Sequence, residues 1–277
     1  MSTDTSPRYV TDGQQLKLTF VRVLKSEILK LRTLRSTWIM LITMLGLFVA
    51  FGALAALSTT GQIDDGSNGP PQTFVLDPVT TVLAGGGFAV LVMSVFGVLS
   101  GAREYGSGMI RTTLSFVPKR LSVLWAKTIA LVIFVIPVTL IAAFGAFFLG
   151  MAVLSAAGSE TVAFTDPDAQ RVLFGTAANI TGLAIIGLAL GMAMRSMPGA
   201  IATVIGGVLI LPALLTALLP ESWRIVLKFL PSNAAAPFTE VQQRADMLSI
   251  GPGIAVYTAW VVLSLAIAGI LLVRRDA

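Results

Sequence analysis

Six long apolar segments alternate with polar connections along this chain of 277 residues. The segments cover approximately 37–58, 79–101, 126–154, 172–194, 198–219 and 252–273. Each reaches the ~20 residues that an α-helix needs to cross the hydrocarbon core of a bilayer. A spanning helix also satisfies its own backbone hydrogen bonds, which lipid cannot do. The pattern therefore predicts an all-α polytopic membrane protein with six transmembrane helices in a single domain over 37–273.

Composition supports the membrane assignment and excludes several kinds of chemistry. Only 12% of the residues are charged, whereas a soluble domain has about 25%. The chain has no Cys and no His, so it lacks disulfides, thiolate or imidazole metal ligands and the groups of a Ser-His-Asp triad. We therefore expect a protein that is not an enzyme and that has no catalytic, cofactor or metal site of its own.

Lys and Arg residues are distributed unevenly between the two sides of the predicted membrane helices. Fifteen of the nineteen fall before the first span, in the second-to-third and fourth-to-fifth connections, and at the C-terminus. The positive-inside rule places these segments in the cytoplasm, so both termini are predicted to be cytoplasmic, with 274–277 as a short tail. The net charge of +5 follows from this bias, and we expect no nucleic-acid partner.

The segment before the first span is amphipathic. After a leader over 1–13 that we expect to be disordered, residues 14–36 place apolar side chains on one helical face and basic ones on the other. Such a basic helix lies in the plane of the lipid headgroups. Glu27 interrupts the apolar face, where a carboxylate facing lipid is costly. It either pairs with Lys30 at i+3 or faces protein.

The predicted cytoplasmic connection between the second and third spans has the sequence REYGSGMIRTTLSFVPKR over 103–120. An acid ends the second span, glycines follow, and a proline closes a short stretch that can form a helix. These features predict a short surface helix, although a basic loop without further role is an alternative. On the opposite side, the connection over 220–251 contains an apolar cluster over 223–230 that is broken by Arg224 and Lys228, so it is predicted to lie on or enter the outer leaflet.

Nucleotide chemistry is not expected in this chain. None of its six Lys residues follows the glycine of a G-x-x-x-x-G-K-[ST] phosphate loop. The glycines over 85–87 lie within an apolar segment and predict a kink or a close helix contact, as does the G-x-x-x-G pair Gly187 and Gly191. Three polar residues in the spans either line a path or pack between helices, and we favour packing: Asn179, Thr181 and Thr203.

Three motifs resemble the permease subunits of type-2 ABC exporters, particularly actinobacterial ones. They are E-Y-x-x-G-x-x-R-x-T-L-x-x-x-P-x-R over 104–120 followed by A-K at 126–127, S-E-x-x-K-L-R-T-L-R-S-T-W over 26–38 and L-P-S-N-A over 230–234. The likeness extends to the number and order of the spans. Met109 departs from the pattern, because the family often has Thr there.

The resemblance implies partners and a set of contact residues. It implies that the amphipathic elbow helix and the second-to-third connection form coupling elements, which contact a separate ABC ATPase present in two copies. ATP and Mg would bind that partner. It also implies a second permease chain, either identical or paralogous, membrane lipids around it, a bacterial plasma membrane, and a re-entrant hairpin between the fifth and sixth spans. The implied coupling residues are Glu27, Lys30, Arg32, Glu104, Gly108, Arg111, Pro118 and Arg120.

Two functions are consistent with this resemblance. The first is the membrane path of an exporter for an amphipathic or lipid-like substrate, such as a drug, an antimicrobial peptide or a lipid. The second is the membrane subunit of an ATP-driven peptide-sensing or immunity complex that does not fully translocate its substrate. The longest external connection, over 220–251, is too short for a large sensing domain, which favours the exporter.

Overall fold

The structure, a computed structural model, describes residues 19–60, 77–106, 109, 120–220, 224–244 and 247–274. All regular secondary structure in these ranges is helical. The predicted leader over 1–13 and most of the connection over 107–119 lie outside the described residues. In chain order the helices are α1 (Phe20–Thr33), α2 (Arg35–Thr59), α3 (Pro78–Val82), α4 (Gly86–Gly106), α5 (Arg120–Ala156), α6 (Pro167–Met194), α7 (Met197–Leu218), α8 (Arg224–Leu227), α9 (Pro231–Thr239) and α10 (Ile250–Arg274).

Six of these helices are long and apolar enough to cross a membrane, namely α2, α4, α5, α6, α7 and α10. The prediction of an all-helical chain with six helices able to span a membrane is thereby confirmed for the described residues. Helix α5 has 37 residues and contains Pro137. At 1.5 Å per residue it is about 55 Å long, well beyond the ~30 Å of the hydrocarbon core. One or both of its ends therefore extend past the apolar layer.

Helix α6 forms the centre of the bundle, and small residues bring α4 against it. A Cβ atom added to Gly97 of α4 would overlap the backbone carbonyl of Ala184, and one added to Gly187 of α6 would overlap that of Ser94. Gly191 meets the carbonyl oxygen of Val98 in the same way. The predicted close contact at the G-x-x-x-G pair is confirmed, because backbone meets backbone along this interface.

The predicted second span is wrong at its start. A single helix was expected over 79–101, but α3 ends at Val82, a turn covers 83–85, and α4 begins at Gly86. Asp77 caps α3 by accepting hydrogen bonds from the backbone N–H groups of Val79 (3.0 Å) and Thr80 (3.2 Å). At Gly85 a Cβ would overlap the backbone of Phe48 in α2. The glycine-rich turn thus allows the close helix contact that was predicted there.

The described part of the segment after α7 is held against α6 and α10. The Arg171 guanidinium of α6 donates to the carbonyl oxygens of Pro237 and Glu240, the latter at 3.0 Å. The same guanidinium also forms an ion pair with the Asp168 carboxylate, with Nη2 and Oδ1 2.8 Å apart. The Phe238 ring of α9 packs against the Tyr257 ring of α10, with ring centroids 5.5 Å apart. Helix α9 is therefore held on α6 by the hydrogen bonds of Arg171 and on α10 by a ring contact, while its position relative to a membrane stays a prediction.

Candidate functional site

Four charged side chains from three helices meet at one end of the bundle. Glu27 and Lys30 come from α1, Glu104 from the last turn of α4, and Lys127 from the second turn of α5. We call these four residues the Glu–Lys cluster. It lies at the end of the bundle that the distribution of Lys and Arg predicts to be cytoplasmic.

Each Lys ammonium of the cluster lies between both carboxylates. The Lys30 Nζ atom is 2.7 Å from Glu27 Oε1 and 2.8 Å from Glu104 Oε1. The Lys127 Nζ atom is 3.0 Å from Glu27 Oε2 and 2.8 Å from Glu104 Oε1. The two positive and two negative charges balance, and every contact is a charge-assisted hydrogen bond.

Because the cluster is largely buried, each of its charges is costly unless it is paired. The side chains of Glu27 and Lys127 are each 5% exposed and that of Glu104 is 8% exposed, whereas Lys30 is 32% exposed. A buried ion is costly unless it is paired and hydrogen-bonded, so each member depends on its neighbours. Removing one partner of such a pair typically costs about 3–5 kcal/mol, because the remaining charge stays buried.

The more exposed Lys30 is held in its charged form. Burial on its own would lower the pKa of Lys30, but hydrogen bonds to Glu104 and Glu27, together with the charges of these carboxylates, raise that pKa above its ordinary value of 10.5. Lys30 is therefore an ammonium ion at neutral pH. It acts as a permanent cation between α1 and α4.

The sequence of α1 explains how the cluster forms. The buried residues of this helix, Val23, Glu27 and Leu31, recur every four positions and so lie on one face. Val23 packs against Val123 and Ala126 of α5. Both predicted alternatives for Glu27 hold, because it pairs with Lys30 at i+3 and also faces protein.

A cavity of about 360 Å³ lies beside the cluster, between α1, α2 and α4. Glu27, Lys30 and Glu104 form part of its wall, and Met40 and Phe96 form an apolar part. Helix α1 packs mainly along α5. Helix α1 is therefore joined to α4 largely by the ion pairs at the edge of this cavity, and less by close packing of side chains.

The eight predicted coupling residues do not form one group in the structure. Glu27, Lys30 and Glu104 are brought together in the cluster. Arg32 is exposed on α1, and its carbonyl oxygen accepts a hydrogen bond from Trp38 Nε1 at 2.9 Å. Arg120 begins α5 and donates to the carbonyl oxygen of Leu272 in α10 at 3.2 Å. The others, Gly108, Arg111 and Pro118, lie outside the described residues.

The burial of Glu27 and Glu104 changes how their predicted role can be performed. In this conformation their carboxylates are enclosed by α1, α4 and α5, so they do not present a surface to another protein. A coupling role for these two residues is therefore a positioning role. Contact with an ATPase stays a prediction for the exposed Arg32.

Lys127 is the residue of the cluster that the sequence reasoning missed. It was counted among the basic residues that orient the spans and lies in the first motif of the resemblance, but it was not among the predicted coupling residues. An available signal was its place beside a long apolar run, where an ammonium ion requires a carboxylate partner. Glu27, already out of place on an apolar helical face, was the corresponding acid.

The polar residues predicted within the spans are mostly engaged inside their own helices. The Thr181 hydroxyl donates to the Ala177 carbonyl at 2.8 Å, and the Thr203 hydroxyl donates to the Gly199 carbonyl at 2.9 Å. Asn179 differs, because its backbone oxygen joins α6 to α10 through Tyr257, whereas its buried Oδ1 atom has no hydrogen-bond partner among the described residues. Thr181 is buried, which agrees with a packing role, whereas Thr203 is exposed and does not pack between helices among the described residues.

Within the described ranges, no group of three or more acidic side chains is arranged to hold a metal ion. The chain also matches no protein-family model and no curated protein sequence. The Glu–Lys cluster and its flanking helices are thus the main basis for assigning a function.

Proposed function

We propose that the chain is the permease subunit of an ATP-binding cassette exporter and is driven by a separate ATPase. The observation that carries this proposal is the Glu–Lys cluster. Glu104 lies two residues before the end of α4, and Lys127 lies seven residues after the start of α5. These two residues flank the connection that the resemblance implies as the ATPase contact.

Through the cluster, a movement of that connection can be transmitted to the helices of the membrane domain. A displacement of the connection between α4 and α5 acts directly on the helix ends that hold Glu104 and Lys127. Lys127 binds Glu27 and Glu104 binds Lys30, so the displacement is passed to α1. The elbow helix and the ends of two spans would then move as one unit during an ATPase cycle.

The proposed complex contains two ATPase subunits, which bind ATP and Mg, and a second permease chain that is either identical or paralogous. Around α6, apolar and small side chains fill the interior of the described bundle. A path between two permease chains, lined largely by apolar helix faces, suits an amphipathic or lipid-like substrate. The proposed location is a bacterial plasma membrane, with both termini in the cytoplasm.

The test begins with the tagged chain purified from its native host in mild detergent. We expect a protein with a G-x-x-x-x-G-K-[ST] loop to co-purify, and we expect its ATPase rate in proteoliposomes to rise with the permease present. Glu104→Gln should lower this stimulation about tenfold while membrane insertion is retained, since the loss of roughly 1.4 kcal/mol of coupling corresponds to that factor. Glu160→Gln, an exposed carboxylate on another connection, serves as the matched control.

Three results would contradict the proposal: no ATPase in the purified complex, a permease without effect on ATPase rate, or normal stimulation by Glu104→Gln. A transport measurement separates the exporter from the sensing or immunity complex. Accumulation of a fluorescent amphipathic probe in the vesicle lumen indicates an exporter. Release of that probe from the membrane without accumulation indicates the other function.

A further inference from the structure

An apolar groove of about 510 Å³ runs between the N-terminal part of α5 and the C-terminal half of α10. Leu121, Leu124 and Trp125 form one wall, and residues from Val262 to Val273 form the other. Trp125 and Val262 are each at least half exposed. The groove therefore opens on the outer surface of the bundle, where a membrane protein meets lipid.

The two helices lie close together at the buried Gly269. A Cβ atom added to Gly269 would lie 3.2 Å from Leu121 Cδ2 and 3.4 Å from Leu124 Cδ2. This close approach bounds the groove on its inner side. A space that is apolar, closed behind and open to the membrane does not hold ordered water, but it does accept a hydrocarbon chain.

The length of the groove matches one leaflet of a bilayer. Val262 and Arg274 are twelve residues apart on α10, which corresponds to about 18 Å along a helix. Half of a hydrocarbon core of ~30 Å is ~15 Å. An acyl chain that starts at the Arg274 end would therefore follow the groove to about the middle of the membrane.

Cations mark only one end of the groove. Arg274 is exposed at the last turn of α10, and Arg120 donates to the carbonyl oxygens of Leu272 (3.2 Å) and Val273 (3.5 Å) at the same end. Among the described residues that line the groove, none carries a carboxylate. Trp125 lies about one turn further along α5 than Arg120, and aromatic side chains of this kind favour the membrane interface.

We propose that this groove binds an anionic phospholipid of the leaflet predicted to be cytoplasmic. Its phosphate lies beside Arg274 and Arg120, and one acyl chain occupies the groove along Leu124 and Gly269. Basic sites between transmembrane helices at the cytoplasmic side are suited to anionic headgroups. The inference goes beyond the proposed transport function, because it requires neither an ATPase nor a transported substrate.

Native mass spectrometry of the full chain tests the headgroup. Delipidated protein in mild detergent is incubated with phosphatidylglycerol or phosphatidylcholine that carry identical acyl chains. We expect stronger retention of phosphatidylglycerol, and Arg274→Gln should weaken that retention about fivefold, the effect of one cation near the membrane surface. Arg244→Gln, the same change at an exposed arginine in the connection predicted to lie on the other side of the membrane, should leave it unchanged.

A second pair of variants tests the acyl site. Ala266→Phe places a ring in the groove and should reduce retention of both lipids, whereas Ala259→Phe, exposed on α10 outside the groove, should not. Thermal unfolding and size-exclusion chromatography establish that each variant is folded. If Ala266→Phe does not fold, Ile270→Phe replaces it, because Ile270 lines the groove and is 52% exposed.

Several results would overturn the proposal. Equal retention of the two lipids by the unaltered chain would remove the role of the headgroup. Unchanged retention in Arg274→Gln or in the folded groove-filling variant would place the bound lipid elsewhere. If the groove-filling variant instead converts a dimer into a monomer with lipid retention intact, the groove is a contact between copies.

Discussion

The α4–α6 interface and the Glu–Lys cluster join helices by opposite means. In the first, Gly97 and Gly187 let backbone approach backbone over several turns. In the second, four charged side chains connect α1, α4 and α5 beside an unfilled cavity. Close packing distributes the contact over many atoms and has little freedom to shift, whereas the cluster concentrates it in a few hydrogen bonds.

This difference suggests that the two contacts have separate roles within the bundle. The α4–α6 pair forms a fixed centre, and α1 is attached to it through groups that can exchange partners without rebuilding a core. In the proposed exporter, the fixed pair would preserve the fold while the cluster transmits motion. The predictions below test this contrast, beginning with the change expected to do most damage.

Gly97→Ala should destabilise the protein severely. The added Cβ would overlap the Ala184 carbonyl oxygen, and a backbone group cannot rotate away as a side chain can. Overpacking of a core typically costs about 1–3 kcal/mol and more where backbone must move. We expect little monodisperse protein and a large drop in the thermal midpoint. Gly46→Ala, where a Cβ has no neighbour within 4 Å, is the control, and equal stability of the two variants would contradict close packing.

Lys127→Met should cost about 3–5 kcal/mol, because Glu27 and Glu104 would remain buried with fewer cations. Adding Glu104→Leu should restore most of the stability, since two buried charges are then replaced by apolar groups and Glu27 keeps Lys30. A double-mutant cycle on thermal stability measures this coupling.

The same pair of variants separates stability from motion. If the cluster transmits displacement, the stable double variant should still show weak ATPase stimulation, because α4 no longer binds Lys30 through Glu104 and α5 no longer binds Glu27 through Lys127. Normal stimulation in that variant would show that the cluster serves only to stabilise the bundle. Additive losses of stability would instead show that the two residues are not coupled.

Arg171→Gln tests whether the loss of stability expected for the Glu–Lys cluster comes from the burial of its charges or would follow the loss of any charged side chain. Arg171 binds backbone oxygens of Pro237 and Glu240 and is partly accessible, so its loss should cost about 1.5–3 kcal/mol, as for hydrogen bonds to a charged group. Faster amide exchange in α9 should accompany the loss. Arg244→Gln, whose side chain is 59% exposed, should have a smaller effect. A destabilisation equal to that of Lys127→Met would contradict the role assigned to burial.

The helices of this chain were more predictable than its site. Hydrophobic runs identify the spans, since any helix in lipid must be apolar over a fixed length, and Gly187 and Gly191 identify a close contact because only small residues permit it. The break between Val82 and Gly86 was not predicted as a turn, because it depends on where Phe48 of another helix approaches.

The cluster illustrates what a sequence leaves open. The position of Glu27 on an apolar helical face indicated that its carboxylate needs a charged partner, and the i+3 spacing identified Lys30 as one such partner. The other two members are 77 and 100 residues away from Glu27 along the chain, and only the packing of α1 on α5 brings them together. The resemblance implied a coupling role for Glu104, but it implied no such role for its partner Lys127.

The smallest predicted effect concerns pH and the most exposed member of the cluster. Since the pKa of Lys30 is raised in the folded protein, its ammonium contributes stability that is complete below the ordinary pKa of 10.5 and is lost as the pH rises through the higher folded value. The difference in thermal midpoint between the unaltered chain and Lys30→Met should therefore be constant from pH 7 to about pH 9.5 and shrink only in stronger base. Solvent near a side chain that is 32% exposed keeps this difference small. A difference that already falls between pH 7 and pH 8 would contradict a raised pKa, and with it the role of Lys30 as a permanent cation between α1 and α4.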